Sequence, residues 1–258
     1  MADYFDIAII GSGNLAWHLA PELENVGHRI VEIYSRNLKN AKKLQKRLYN
    51  AEINPSFDFS DSEAEIFFIC ISDDAIEEVA QEIALPENAV IVHTSGSQSI
   101  SKLGYVATEY IGVFYPLQTF TKNKQVEFDD IPILIEAEDS HTERTLKKLG
   151  KSISNQVFSV SSKDRLAIHI AAVFACNFTN HLFEVSDQIL RKHGFKFSLL
   201  KPLIAETINK SLEIGPENAQ TGPAVRGDME TLDQHMEYLN GNEYQQVYRM
   251  ITDLILKR

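Results

Sequence analysis

Ile7-Ala8-Ile9-Ile10-Gly11-Ser12-Gly13-Asn14-Leu15-Ala16 is the stretch on which the reading of this chain turns. An apolar run passes straight into Gly-x-Gly-x-x-Ala, and a helical pattern follows over residues 14–24. Each small residue in it meets a separate demand of a strand–turn–helix unit that holds a dinucleotide. Gly11 makes the tight turn out of the strand. Gly13 carries no Cβ, so a pyrophosphate can approach the backbone. Ala16 lets the helix pack close to the strand, and the helix start turns free N–H groups and a partial positive charge toward the phosphates. Ser12, Asn14 and Leu15 complete the candidate cofactor-binding loop. A lone motif of this kind also occurs as a plain glycine turn, so its weight comes from its place between a strand and a helix. Pro21 falls inside the helix and predicts a kink or an early end.

Working outward, short apolar runs bounded by turn residues predict strands over 5–10, 29–34, 66–71, 89–93, 111–114, 131–135 and 156–160. Helical patterns lie between them over 14–24, 38–48, 75–83 and 141–149. Strands that are apolar on both faces and alternate with helices imply an α/β domain built on a doubly wound parallel sheet. Beyond residue 160 no convincing strand appears. A helix is predicted over 162–193, stopped by Gly194, and others over 198–212, 228–239 and 243–256. The expected organisation is a dinucleotide-binding domain over 1–160 and an all-α domain over 161–258 for substrate binding and dimerisation. Ile168–Phe178 is apolar nearly all round, which predicts burial in a bundle or between subunits.

The end of the second strand separates two cofactors. An NAD enzyme usually places Asp or Glu there to bind the ribose hydroxyls. This chain has Ser35-Arg36 instead. A carboxylate would repel a 2′-phosphate, whereas a hydroxyl and a guanidinium donate charge-assisted hydrogen bonds to it. Lys39, Lys42, Lys43, Lys46 and Arg47 follow, in a half of the chain that is otherwise strongly acidic. Lys46 and Arg47 read as a solvated helix face and Arg36 as a phosphate contact. The expected cofactor is NADP.

Composition bounds the rest. The 258 residues carry 25 basic and 36 acidic side chains, a net charge of −11, which argues against nucleic acid or an anionic membrane as partner. Cys70 and Cys176 sit in apolar runs and form no CxxC pair, as in a reducing compartment. Met1-Ala2-Asp3-Tyr4 lacks the basic region of a signal peptide, and no apolar stretch is expected to approach the roughly 20 residues that cross a bilayer. The expectation is a soluble, cytoplasmic protein.

Gly11–Ala16 with Ser35-Arg36 resembles the NADP-binding half of pyrroline-5-carboxylate reductases and deazaflavin-dependent NADP reductases. His93-Thr94-Ser95-Gly96, Pro116-Leu117-Gln118-Thr119-Phe120, Thr221-Gly222-Pro223 and Arg226-Gly227-Asp228 narrow the likeness. With the helix around His169–Phe178, they resemble a family of candidate NADP oxidoreductases with an uncharacterised helical C-terminal domain. The resemblance implies a Rossmann domain, a helical dimerisation domain and an active cleft between them. It supplies no substrate. Tyr115 stands where a histidine is common in that pattern, so a proton step relying on that histidine needs another group here.

Ligands of open α/β sheets bind beyond the carboxyl ends of the strands. Ser72 and Asp73 follow the third long strand and are read as cofactor neighbours, although Asp73 or Asp74 also suits an N-cap for the next helix. His93 and Ser95 follow the fourth. His93 suits proton delivery to a carbonyl or imine, or else structural packing; Ser95 suits a substrate contact, or else the shaping of a turn. His169 and Asn177 are polar positions in an apolar helix, about 80° apart at 100° per residue, and complete the candidate catalytic set. Arg226 and Asp228 fit either an ion pair with a helix cap or a substrate carboxylate site. No metal-ligand spacing is present. The expected activity is hydride transfer between NADP(H) and a small ketone, imine or hydroxy acid. The alternative is a non-enzymatic NADP-binding redox sensor or regulatory subunit. The expected partners are a small-molecule substrate and a second copy of the chain, joined through the C-terminal helices.

Overall fold

Strict alternation of buried side chains builds the sheet. In β1 (Asp6–Ile10), Ile7 and Ile9 enter one hydrophobic core and Ala8 and Ile10 the other. The same division separates Phe68 from Phe67 and Ile69 in β4 (Ile66–Ile69). Side chains of a strand point alternately to the two faces, so two cores mean a sheet covered on both sides. One cover consists of α1 (Asn14–Asn25), α2 (Leu38–Gln45) and α4 (Ser140–Ile153); α3 (Ile76–Glu82) lies on the other. The computed structural model describes residues 4–257; Met1–Asp3, part of the stretch read for a leader, and Arg258 lie outside them.

The remaining strands are β2 (Arg29–Tyr34), β3 (Glu52–Ile53), β5 (Val90–His93), β6 (Ile111–Pro116), β7 (Ile133–Ala137) and β8 (Val157–Ser159). They join in one eight-stranded sheet of order β3-β2-β1-β4-β5-β6-β7-β8. β1 and β4 are parallel neighbours from which the strand order runs outward in opposite senses, which is the switch point of a doubly wound sheet. The sheet is not wholly parallel. β7 runs antiparallel to β6, with Phe114 opposite Ile135. A parallel return needs a crossover, usually a helix, and residues 117–132 form none. α4 then supplies a crossover, and β8 lies parallel to β7. The two-residue β3 is too short to register as an apolar run.

α1 passes through Pro21 and continues to Asn25 instead of stopping. Proline has no N–H, so the carbonyl four residues earlier, on Trp17, loses its helical donor. The Arg47 guanidinium donates to that carbonyl and lies 4.4 Å from the Trp17 ring centroid. Arg47 is therefore docked on α1 and is more than a solvated residue of its own segment.

The chain divides into two compact units between Ala172 and Val173, twelve residues beyond the expected boundary. The cause is α5 (Ser162–Ala172), which is bound into the first unit by Arg165. That side chain is fully buried, pairs with Glu136 at 2.8 Å and donates to the Ser95 carbonyl at 2.9 Å.

The second unit is all helical. A π-type turn, Val173–Phe178, follows α5, and then come α6 (Thr179–Lys192), α7 (Lys201–Ile214), α8 (Pro216–Ala219), α9 (Pro223–Arg226), α10 (Met229–Tyr238) and α11 (Gln245–Leu256). Phe174 and Phe178 are 64% and 51% exposed in the single chain, so the burial expected of them is not supplied by its own bundle. One expectation changes here. The helical run Ser162–Lys192 is long and apolar enough, by length and composition alone, to cross a membrane.

Candidate functional site

The carboxyl ends of β2, β1, β4, β5 and β6 open into one cleft of about 590 Å³. Gly11, Ser12, Gly13, Asn14 and Leu15 form its floor, Ser35 and Arg36 close one end, and Thr94, Tyr115 and Gln118 stand at the other. Gly11 has φ +119°, and a Cβ there would lie 2.1 Å from the Cys70 carbonyl oxygen, so only glycine makes this turn. Gly13 differs. Its Cβ would meet nothing nearer than 3.8 Å, which leaves the backbone open to the cleft. Gly13 is also the N-cap of α1 and brings no side chain to the helix start. The N–H groups of the first turn are therefore available to an anion. Ala16 is fully buried behind them.

Ser12 Oγ lies 2.7 Å from Ser35 Oγ, which ties the glycine loop to the end of β2. Arg36 is exposed beside them, and Asn37 caps α2 by accepting from the Asn40 N–H. Asp74 is a counter-charge to Arg36. Its carboxyl is held below the ordinary range, first by the Ser72 hydroxyl and in part by Arg36. A dinucleotide with a 2′-phosphate fits this lining: an open glycine cradle for its pyrophosphate and a hydroxyl–guanidinium pair where an NAD-type acid would stand.

Sequence reasoning missed Lys122. It lies in the connection between β6 and β7, donates to the Ser12 carbonyl at 2.8 Å, and sits 5.1 Å from the Trp17 ring centroid. Phe120 and Thr121 of the same strap are fastened to α1: Phe120 packs on His18, whose Nε2 lies 2.9 Å from the Thr121 carbonyl. A second cation thus reaches the glycine-loop end of the cleft from more than 100 residues away, and local pattern carries no signal of it.

His93 does not match its reading as a proton donor. It is fully buried, it does not line the cleft, and its Nδ1 accepts the Ser95 N–H. Burial, aided by the Arg165 charge, pushes its pKa down to about 4, so the imidazole is neutral at physiological pH. Ser95 is buried too, and its Oγ accepts from the Ser97 and Gln98 N–H groups. Both residues shape the turn around Gly96. Ser72 lines the cleft, whereas Asp73 accepts a 2.6 Å bond from Ser97 Oγ. Neither aspartate caps α3: Ser72 is the cap residue of a short 3₁₀ turn, Asp73–Ala75, and α3 begins only at Ile76.

His169 is placed on α5 with Nδ1 3.1 Å from the Tyr115 hydroxyl. Asn177 falls in the second unit, exposed, within the π-type turn. That turn breaks the 100° spacing by which the two residues were set on one side. Asp228 caps α10 through the Thr231 N–H, and Arg226 stands 4.0 Å from it, as in the ion-pair reading. Cys70 is buried, with its thiol pushed up to about 12, and is no nucleophile.

Two family models match the chain. The one described as NADP oxidoreductase, coenzyme F420-dependent, matches residues 6–96. A domain of unknown function, DUF2520, matches residues 131–255. Among solved structures, a candidate NADP oxidoreductase from Bacteroides fragilis is 36% identical, with all of both chains covered and a TM-score of 0.90. A reductive aminase from Aspergillus terreus, solved with NADPH and ethyl levulinate, is 13% identical over 91% of this chain and 78% of its own, with a TM-score of 0.61. A pyrroline-5-carboxylate reductase from Coxiella burnetii is 13% identical over 99% and 97%, with a TM-score of 0.59. At those identities the last two share the fold alone. None of the curated proteins matches the chain.

Proposed function

The chain belongs to the family that joins a coenzyme F420-dependent type of NADP oxidoreductase domain to the C-terminal domain of unknown function, and from that premise we propose that it is an NADP(H)-dependent reductase of a small ketone or imine, or the corresponding hydroxy-acid dehydrogenase. The observation that carries the reading is the charge pattern of the cleft. Two cations, Arg36 and Lys122, line it beside an uncapped helix start, in a half of the chain rich in carboxylates.

The roles divide along the sheet edge. Arg36 and Ser35 bind the 2′-phosphate, the N–H groups after Gly13 bind the pyrophosphate, and Lys122 neutralises the charge between them. The cofactor, when bound, supplies or accepts a hydride. The chain orients it and excludes water, and the Phe120–Lys122 strap, fastened to α1, is part of that enclosure. Unpaired Cys70 and Cys176 suit a cytoplasmic enzyme. We further propose that the working form is a homodimer joined through the helices of the second unit.

Isothermal calorimetry with both cofactors tests the reading. NADPH is expected to bind at least tenfold more tightly than NADH, since a charge-assisted hydrogen bond contributes roughly 1.5–3 kcal/mol. Arg36→Asp should reverse the order. Tighter NADH binding by the wild type would refute the NADP assignment, and no binding of either would refute the function.

A further inference from the structure

The lining of the cleft is ordered along the sheet edge: Ser35 and Arg36 after β2, the glycines after β1, Ser72 after β4, Thr94 after β5, and Tyr115 in β6. If the function proposed above holds, the phosphate-bearing ribose lies at Arg36 and the reacting ring lies at the β5–β6 end. A reduction there needs a proton as well as a hydride. His93 is buried and neutral, and the Thr94 hydroxyl already donates to the Ile69 carbonyl.

Tyr115 has the required placement and a built partner. Its hydroxyl lies 3.1 Å from His169 Nδ1, and the two rings meet edge to face, 6.0 Å apart. Gly96 makes room for them: a Cβ there would lie 2.6 Å from His169 Nδ1 and 2.7 Å from Tyr115 Cζ. α5 is in turn locked to the sheet by the Arg165–Glu136 pair one helical turn before His169. A glycine, an ion pair and a helix thus hold one imidazole against one phenol at the wall of the cleft.

We propose that Tyr115 is the catalytic acid of this site and that His169 is its positioning and proton-resupplying residue. As the substrate carbon accepts a hydride from a reduced nicotinamide, the C=O or C=N π pair moves onto the heteroatom. That atom takes the proton from Tyr115 Oη. The phenolate takes the Nδ1 proton of His169 as Nε2 takes one from solvent, so no imidazolate forms, and exchange with water returns the ring to its starting tautomer. One hydride and one proton enter the substrate, and the nicotinamide is oxidised. The reverse sequence oxidises an alcohol or amine.

The test uses the full-length protein labelled with ¹³Cζ-tyrosine, the Tyr115 resonance being assigned by its loss in Tyr115→Phe. Adding NADP⁺ should shift that resonance, and so should His169→Leu in the absence of cofactor. If calorimetry shows NADP⁺ bound while the Tyr115 signal stays fixed, the acid is elsewhere and the function stands. If no cofactor binds, the function falls and this assignment with it. A signal indifferent to His169→Leu removes His169 from the scheme. With 2-methyl-1-pyrroline or pyruvate, whichever is reduced, Tyr115→Phe should lower kcat about 100-fold with KM and cofactor affinity within about twofold. His169→Leu should cost about tenfold in kcat, and His169→Gln, which keeps an N–H donor, should restore part of that. Unchanged kcat in Tyr115→Phe would overturn the proposal.

Discussion

Pro21 removes one hydrogen bond from α1, and Arg47, on another element, replaces it at the Trp17 carbonyl. Lys122 approaches the same indole, so two cations lie over the ring next to the glycine loop. Of the two, Lys122 lines the cleft and holds the Ser12 carbonyl. Lys122→Met should therefore weaken NADPH and NADH alike, by about tenfold each, because the pyrophosphate is common to both. Arg36→Asp, by contrast, changes their order. Titrations followed by calorimetry and by the emission of Trp17, the single tryptophan, separate the two patterns. An effect of Lys122→Met on NADPH alone would place the lysine at the 2′-phosphate instead. Ser35 and Arg36 were legible in the sequence, since both follow a strand at a fixed distance from the glycines. The contacts of Lys122, Arg47 and Tyr115 were not, because their partners lie 110, 30 and 54 residues away.

At the scale of elements, hydrophobic runs located the seven longer strands to within about two residues, since most of these strands are buried and apolar. The run gave no direction for β7, because direction is decided by the connection before it. Helix periodicity likewise predicted one uniform helix over 162–193 and could not reveal the π-type turn inside it. The junction of β5 with α5 carries an acid-sensitive contact. His93 ends β5, and around its imidazole stand Arg165 on α5, Glu136 on β7 and Asp73 in the loop after β4. Its pKa is lowered in the fold, so the neutral form is the stabilising one. That stability is fully present above pH 6.5 and is lost as pH falls through about 4. The loss amounts to roughly 3 kcal/mol. Urea unfolding across this window should show the decline in the wild type. His93→Asn keeps an acceptor for the Ser95 N–H and has no titrating ring, so its stability should be lower at neutral pH but flatter below 6.5. Parallel profiles for the two proteins would show that the acid limb arises elsewhere.

For the whole molecule, the second unit turns a large apolar surface outward: Phe174, Leu199, Leu203, Leu212, Met250 and Leu254 are all more than 60% exposed. Soluble monomers rarely leave so much apolar surface uncovered, which argues for a covering surface. Lipid fits the run Ser162–Lys192 poorly despite its length. Arg165 is committed to Glu136 and His169 to Tyr115, and Asn177, Asn180 and His181 interrupt its middle. A second copy of the chain fits better. It offers the same apolar faces, and residues 161–258 carry 11 basic and 12 acidic side chains, so two such units meet without the repulsion that residues 1–160, with 14 and 24, would impose. Sedimentation velocity at micromolar concentration should give a mass near twice 29.2 kDa. Phe174→Glu or Leu203→Glu should shift the population toward monomer, because a carboxylate on a desolvated face costs several kcal/mol. Cofactor binding by that monomer then decides how far the two activities are joined. Every residue that lines the cleft precedes the second unit, so NADPH affinity should survive the loss of the dimer. A wild type that sediments as a monomer would leave the exposed face without its partner and end the dimer reading.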